Sequence, residues 1–185
     1  MVLQIGFISL CFILDFIFGT LYPHSFLPGD LVITSCLGLS ALVISQRNMD
    51  RIDSFLISVI YGLLYDFFIS HSFLICTVVF ALVNVLVSNW QKHVTESIFE
   101  TCTLVFTTIF VKEFLVYFIM NLCSYTSLSF TTWLTSRAIV TLIVNGFLVV
   151  IIVLISRYVE DLMLLREVRI RKEESISWWK ISLKQ

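Results

Sequence analysis

The chain has 185 residues, of which 58% are hydrophobic and 14% are charged, and its net charge is −1. Its mean hydropathy is +0.97. Soluble domains are about half apolar and about a quarter charged, so this composition excludes an ordinary soluble domain and indicates an integral membrane protein. No basic region is extensive enough to indicate nucleic-acid binding, and the length fits one compact helical bundle.

Six apolar runs follow one another along the chain, and a transmembrane helix needs about 20 mostly apolar residues. The first run is predicted to be a retained helix, because it lacks a basic start and a signal-peptide cleavage site and carries Asp15. The predicted spans are 3–22, 31–45, 55–69, 73–89, 98–122 and 138–156. We therefore predict an all-α membrane protein whose residues 1–156 form a bundle of six transmembrane helices.

The twelve basic residues are distributed unevenly about these spans. If the spans alternate in direction, ten fall on one side of the membrane, Arg137 falls on the other, and Lys112 lies within the fifth span. The positive-inside rule then places both termini in the cytoplasm. Residues 157–185 are predicted to form a charged cytoplasmic tail that is helical at its start, where Glu167 and Arg171 have i,i+4 spacing. The ten are Arg47, Arg51, Lys92, Arg157, Arg166, Arg169, Arg171, Lys172, Lys180 and Lys184.

Four ionisable side chains lie inside the predicted spans: Asp15, Asp66, Lys112 and Glu113. An ionisable group at mid-bilayer costs about 2.5 to 3.5 kcal/mol, so each is expected to face the bundle interior. Adjacent helical residues point about 100° apart, so Lys112 and Glu113 are not expected to pair, and Asp15 and Asp66 are the predicted partners of Lys112. The set fits either an ion or substrate path or interhelical packing, and we favour packing.

Sequence patterns of known catalytic sites are missing from the chain. It contains no HExxH, GxxxxGK[ST] or GxSxG pattern, and its five cysteines form no CxxC pair. The cysteines lie within or beside apolar runs, which favours reduced thiols that act as small hydrophobic side chains. We therefore predict a protein that is not an enzyme and has no cofactor or metal site.

The stretch Ile60-Tyr61-Gly62-Leu63-Leu64-Tyr65-Asp66 resembles the G-L-x-x-D region of the rod-shape-determining protein MreD family. Glu113 followed by Phe114 is similar to the intramembrane glutamate of that family. Ser136-Arg137 leading into Thr141-Leu142-Ile143-Val144-Asn145 resembles the start of its last span. Family members often have a proline near that start, where this chain has Val140, so the resemblance does not extend to a kink in the last span.

The resemblance implies a fold, a role and partners. The bundle would be similar to that of the substrate-binding subunits of energy-coupling-factor vitamin transporters. The role would be that of a non-catalytic scaffold of the cell-wall elongation complex in the bacterial cytoplasmic membrane. Its direct partner would be MreC, and through MreC it would act with RodA and a class B penicillin-binding protein and, in rods, with MreB. Membrane lipid surrounds it.

Eight residues are the candidates for intramembrane polar packing or partner contact. Gly62 would let another helix approach closely, and Asp66, one turn later on the same face, would meet a hydrogen-bond donor there. In the scaffold hypothesis the MreC membrane anchor packs against these two residues. The eight candidates are Asp15, Gly62, Tyr65, Asp66, Lys112, Glu113, Arg137 and Asn145.

Two other functions stay open. The first is a vitamin-binding subunit of an energy-coupling-factor transporter, since the implied architecture is shared. Such subunits usually dock through alanine pairs in the first span, whereas residues 5–12 contain no alanine. The second is a lipid-modifying membrane enzyme, for which the sequence offers no reactive cluster.

Overall fold

The computed structural model describes residues 2–21, 33–70, 74–90 and 97–182, with the side chains of 3–21, 33–69, 74–90 and 97–162. All regular secondary structure in these ranges is helical. Two π-helical turns, Asp66–Ser70 and Leu134–Ala138, follow α3 and precede α7. The helices are α1 Val2–Leu21, α2 Leu37–Ser45, α3 Arg51–Tyr65, α4 Ile75–Trp90, α5 Ile98–Leu122, α6 Phe130–Trp133 and α7 Ile139–Ser182.

The chain divides into two compact units, Met1–Val153 and Leu154–Gln185. The first unit contains α1 to α6 and the beginning of α7. The second contains the remainder of α7, whose helix runs to Ser182 and therefore includes most of the predicted tail. All of the polar sites described below belong to the first unit.

Four helical segments are long and apolar enough to cross a membrane: Leu3–Leu21, Arg51–Ile69, Ile98–Leu122 and Phe130–Leu162. They confirm the prediction of an all-α membrane protein. A shorter apolar helix, Ile75–Trp90, lies where the fourth span was predicted. At 1.5 Å per residue, the nine residues of α2 reach only about 14 Å, roughly half of the hydrocarbon thickness. A count of six spans therefore stays a prediction.

Helix α2 is buried along its whole length. It begins six residues later than the predicted second span, because residues 33–36 are not helical. A helix that is apolar on every face is expected in the core of a bundle, where neighbouring helices surround it. Helix α2 packs against α1 and α5, and Asn145 of α7 bonds to the residues that precede it.

Aromatic side chains fill the core between α1, α3 and α4. The ring of Phe12 stacks on Tyr61 with 4.3 Å between centroids, and Phe80 lies 6.1 Å from Phe12. Tyr65 contacts Phe80 at 5.6 Å. This packing fixes the spacing of α1, α3 and α4 and so positions the carboxylates that lie near their ends.

The two ends of the bundle differ in exposed charge. At one end, where α2 ends and α3 begins, Arg51 and Asp50 are exposed and Arg47 is half-buried. At the other end, α1, α3 and α5 finish and α2 and α4 begin. Among the described residues of that second end, which we call the uncharged end, every Asp, Glu, Lys and Arg side chain is buried. These are Asp15, Asp66, Lys112, Glu113 and Arg137.

Candidate functional site

The carboxylate of Glu113 is the centre of a buried polar cluster. Its Oε1 accepts hydrogen bonds from Lys112 Nζ at 2.7 Å and from Thr34 Oγ1 at 2.9 Å. Its Oε2 accepts one from Arg137 Nε at 3.3 Å. Glu113 is only 2% exposed, and a buried carboxylate persists as an ion when cations and hydrogen-bond donors surround it. Helix α5, the π-helical turn before α7 and the segment before α2 therefore meet at one side chain.

The prediction that Lys112 and Glu113 do not pair is wrong. Their Cβ atoms point in different directions, but the four-carbon stem of Lys112 curls back far enough for Nζ to reach the neighbouring carboxylate. The same Nζ lies 3.7 Å from Cys36 Sγ and 5.3 Å from the centroid of the Tyr65 ring. The flexible side chain of Lys112 therefore determines which carboxylate it pairs with, and the positions of residues along a helix do not predict this.

Asn145 holds the non-helical segment 33–36 from the side of α7. Its Oδ1 accepts from the backbone N–H of Cys36 at 2.8 Å, and its Nδ2 donates to the carbonyl of Thr34 at 2.7 Å. It also donates to the carbonyl of Thr141, one turn earlier. Irregular backbone at membrane depth is tolerated only when its polar groups are satisfied by protein or water, and here one amide side chain satisfies two of them.

Asp15 caps the N-terminus of α2. Its two carboxylate oxygens accept from the consecutive backbone N–H groups of Leu37 at 2.9 Å and Gly38 at 2.7 Å. The first N–H groups of a helix have no partner within the helix and carry partial positive charge, so a carboxylate there is stabilised without a cation. Asp15 is therefore bound to α2 and not, as predicted, to Lys112.

Asp66 caps the N-terminus of α4 in the same way. Its Oδ1 accepts from the N–H of Cys76 at 2.9 Å, and its Oδ2 accepts from the N–H and the hydroxyl of Thr77, both at 2.7 Å. An ideal Cβ on Gly62 would lie 2.7 Å from Thr77 Cα, so the absence of a side chain there lets α3 and α4 approach. Gly62 and Asp66 together form one contact with α4.

The eight predicted residues thus lie in two groups. Thr34 and Cys36 link four of them, Lys112, Glu113, Arg137 and Asn145, into one set, and Tyr65 lies beside Lys112. We use the name Glu113 cluster for Thr34, Cys36, Lys112, Glu113, Arg137, Thr141 and Asn145. Asp15 caps α2 next to that cluster. Gly62 and Asp66 lie at the junction of α3 and α4.

Several residues of these sites were missed by sequence reasoning. Thr34 and Cys36 stand in an apolar run, where only the hydroxyl of Thr34 marks a polar site. Gly38 and Thr77 carry no sequence signal that links them to a distant aspartate. A further buried set was missed at the charged end, where Asn84 Nδ2 donates to Ser54 Oγ at 2.8 Å and Ser58 Oγ at 2.7 Å, and Gln46 donates to the carbonyl of Asn84.

A small cavity of about 10 Å³ adjoins Glu113 and Arg137. Tyr117 and Trp133 are among its walls, and their rings stack at 4.7 Å. This volume accommodates about one water molecule and is far below the 300 Å³ or so of a small ligand pocket. Within the described ranges, no three His, Cys, Asp or Glu side chains are grouped to hold a metal ion. The arrangement is one that fixes helices to one another.

Comparison with protein-family models, with curated proteins and with solved structures finds no match for this chain. A functional assignment therefore depends on its own residues and on the places that they take in the bundle.

Proposed function

We propose that the chain is a non-catalytic membrane scaffold of the bacterial cell-wall elongation complex, of the MreD type. The observation that carries this proposal is the contact between Glu113 and Arg137 at 3.3 Å. Both residues belong to the stretches that resemble the family, although 24 positions separate them. Two separate stretches resemble the family, and their side chains meet in one buried cluster. We expect such a meeting if the two stretches share one structural role.

The proposal includes six spans with both termini in the cytoplasm and a bundle similar to the substrate-binding subunits of energy-coupling-factor transporters. The uneven exposure of charge supports this orientation, because exposed bases are concentrated on cytoplasmic faces. Arg47 and Arg51 lie at the charged end. The uncharged end then faces the outside of the cytoplasmic membrane, and the Glu113 cluster lies in the outer half of the bundle.

In the proposed mechanism, the buried polar groups hold the bundle in one shape and the partner binds its exposed faces. Gly62 and Asp66 are buried against α4, so a helix of MreC could reach them only by displacing α4. The MreC anchor instead packs on lipid-facing side chains such as Ile60 on α3 or Ile143 on α7. Through MreC the scaffold acts with RodA and the class B penicillin-binding protein and, in rods, with MreB.

Co-purification tests the partner. The tagged chain is extracted in a mild detergent from bacteria that also produce the MreC of the same host, and we expect MreC to elute with it. Ile60→Trp and Ile143→Trp form a matched pair, since both add bulk to an exposed position of a different helix. Loss of MreC with one of them identifies the docking face. A folded, monodisperse protein that never retains MreC contradicts the scaffold proposal.

Cysteine labelling tests the orientation with the natural chain. Cys123 is exposed at the uncharged end, Cys102 is half-buried, and Cys11, Cys36 and Cys76 are buried. A membrane-impermeant maleimide added to intact spheroplasts is expected to modify Cys123. The control is Asn48→Cys in a Cys102→Ser, Cys123→Ser background, since Asn48 is exposed at the charged end and should react only after the membrane is opened. The reverse pattern would overturn the orientation.

Vitamin binding is the weaker alternative. Polar groups do converge near the uncharged end, but the cavity that the described residues form beside them is about 10 Å³, and a vitamin needs a pocket of several hundred Å³. Thermal-shift measurements with a panel of vitamins decide between the two: strong stabilisation at low concentration would favour the transporter subunit.

A further inference from the structure

The segment between α5 and α7 has an unusual composition. From residue 114 to residue 136 the chain contains no Asp, Glu, Lys, Arg or His. We call residues 122–136 the connector. It includes the exposed aromatic side chains of Tyr125 and Phe130 and a set of hydroxyl groups. These are Ser124, Thr126, Ser127, Ser129, Thr131, Thr132, Thr135 and Ser136.

The apolar side chains of the connector are exposed to a degree that is unfavourable in water. Tyr125 is 73% exposed, Leu122 is 68% exposed and Phe130 is 49% exposed. They continue the exposed face of α5, where Phe114 and Phe118 stack at 6.3 Å. Because α5 is long and apolar enough to cross a membrane, we expect that face to contact lipid, and the connector follows directly after the last turn of the helix.

The connector is held in a fixed shape by its own contacts. Tyr117 donates a hydrogen bond to the carbonyl of Leu128 at 3.0 Å, and Trp133 is buried against the Tyr117 ring. Ser129 Oγ accepts from the N–H of Thr132 and so caps the first turn of α6. The exposed aromatic rings are therefore presented by an ordered support, at the end of the bundle where no described side chain carries exposed charge.

We propose that the connector is a lipid-binding surface that lies in the headgroup layer of the membrane. Aromatic rings with a polar edge, such as Tyr125, are favoured in this layer, where one part of the ring contacts acyl chains and the other contacts water. Several hydroxyl groups of the connector already donate within it, such as Thr135 to the carbonyl of Thr131 and Ser136 to that of Thr132, and their oxygens can still accept hydrogen bonds from water at the lipid surface. The lack of charge in the connector excludes ion pairs with an acidic or basic partner, and the surface fits zwitterionic or neutral lipid. The proposal does not depend on the scaffold function.

Electron paramagnetic resonance tests the proposal. A nitroxide is attached to Cys123 of the purified chain in phosphatidylcholine bilayers, with Cys102→Ser to leave Cys123 as the accessible thiol. Its collision rates are measured with oxygen, which concentrates in lipid, and with a water-soluble nickel chelate. The matched control places the label at Asn48→Cys in the Cys123→Ser, Cys102→Ser background, at the charged end. We expect a severalfold higher oxygen-to-nickel ratio at Cys123 than at position 48.

Two outcomes would overturn the proposal. Equal ratios at the two positions would place the connector in water, and weak collisions of Cys123 with both reagents would mean that protein covers it. The double variant Tyr125→Ser, Phe130→Ser sharpens the result, because removal of both rings should shift the Cys123 ratio toward that of position 48. If this variant does not fold, the measurement on the intact connector still decides.

Discussion

At two junctions between helices of the bundle, a buried aspartate accepts hydrogen bonds from the first N–H groups of a neighbouring helix. At the first, Asp15 of α1 accepts from two consecutive N–H groups at the start of α2. At the second, Asp66 near the end of α3 accepts from two consecutive N–H groups at the start of α4. In both, a buried carboxylate is stabilised by the N–H groups of a helix terminus, which take the place of water as hydrogen-bond donors.

The junctions differ in the location of the glycine that permits the approach. At the second it is Gly62, on the helix that supplies the aspartate; at the first it is Gly38, on the helix that receives it. The obstacle differs too. A Cβ on Gly62 would meet the backbone of Thr77, whereas a Cβ on Gly38 would meet the ring of Phe12. At Gly38 the obstacle is a side chain, which can shift in part, whereas at Gly62 the obstacle is backbone.

The largest effect within this comparison is expected for Gly62→Ala. Its new methyl would lie 2.7 Å from Thr77 Cα, and a backbone atom cannot move aside without separating α3 from α4. We expect the free energy of unfolding to fall by about 3 kcal/mol, measured by equilibrium unfolding in mixed micelles. The control is Gly6→Ala, which has no atom within 4 Å and should leave stability unchanged or slightly higher. Equal losses in the two variants would refute the close-approach explanation.

Removal of either carboxylate is expected to have the next largest effect. Asp15→Ala and Asp66→Ala each leave two buried N–H groups without their acceptor, and we expect each to lower the free energy of unfolding by about 2 kcal/mol. The corresponding Asn variants retain one acceptor oxygen and should lose about half as much. Identical stabilities for the Ala and Asn variants at either junction would show that the cap does not stabilise it.

Gly38→Ala is expected to be milder, with a loss of about 1 kcal/mol. The new methyl would lie 2.7 Å from the Phe12 ring, which is itself stacked on Tyr61 and cannot turn away freely. The second substitution Phe12→Leu should restore part of the stability in the double variant. Thr77→Ser should not rescue Gly62→Ala, because the obstacle there is Cα. Rescue of both, or of neither, would remove the distinction between the junctions.

The smallest effect is expected at Leu74, which precedes α4 next to the second junction and has φ 58°. A left-handed conformation costs a residue with a side chain about 1 to 2 kcal/mol relative to glycine, while glycine gains freedom in the unfolded chain. Leu74→Gly should therefore raise stability by about 0.5 kcal/mol. Leu63→Gly, in regular helix, should lower it by about 1 kcal/mol. A loss in both variants would mean that the backbone at Leu74 is not strained.

A contact at these junctions could be predicted from sequence when its residues lie close together along the chain, and not when they lie far apart. Gly62 and Asp66 are one turn apart on one helix, so their shared contact could be anticipated. The matching pair of Asp15 and Gly38 is divided between two helices, and no local pattern relates them. The apolar runs located α1 and α5 almost to the residue. For the second predicted span the apolar run began six residues before α2, since hydropathy carries no information on the hydrogen bonds that Asn145 makes to the non-helical residues 33–36.

The pairing of Lys112 with Glu113 shows a different limit. Helical geometry gives the direction of each Cβ, but the reach and flexibility of a lysine are not contained in it. The sequence made Glu113 and Arg137 candidates, because both belong to stretches that resemble one family. Their contact with one another, and the hydrogen bond from Thr34 to Glu113, arise only when the whole bundle is folded.

The short buried helix α2 has a consequence for the order in which the protein is made. Its leading backbone is satisfied by Asn145, which the ribosome adds 109 residues after Cys36. Until that last helix enters the membrane, the N–H of Cys36 lacks its native acceptor, and nine helical residues are too few to stay inserted alone. We therefore expect α2 to be integrated late in biogenesis, and a chain truncated before Asn145 to expose this segment to proteases of the membrane.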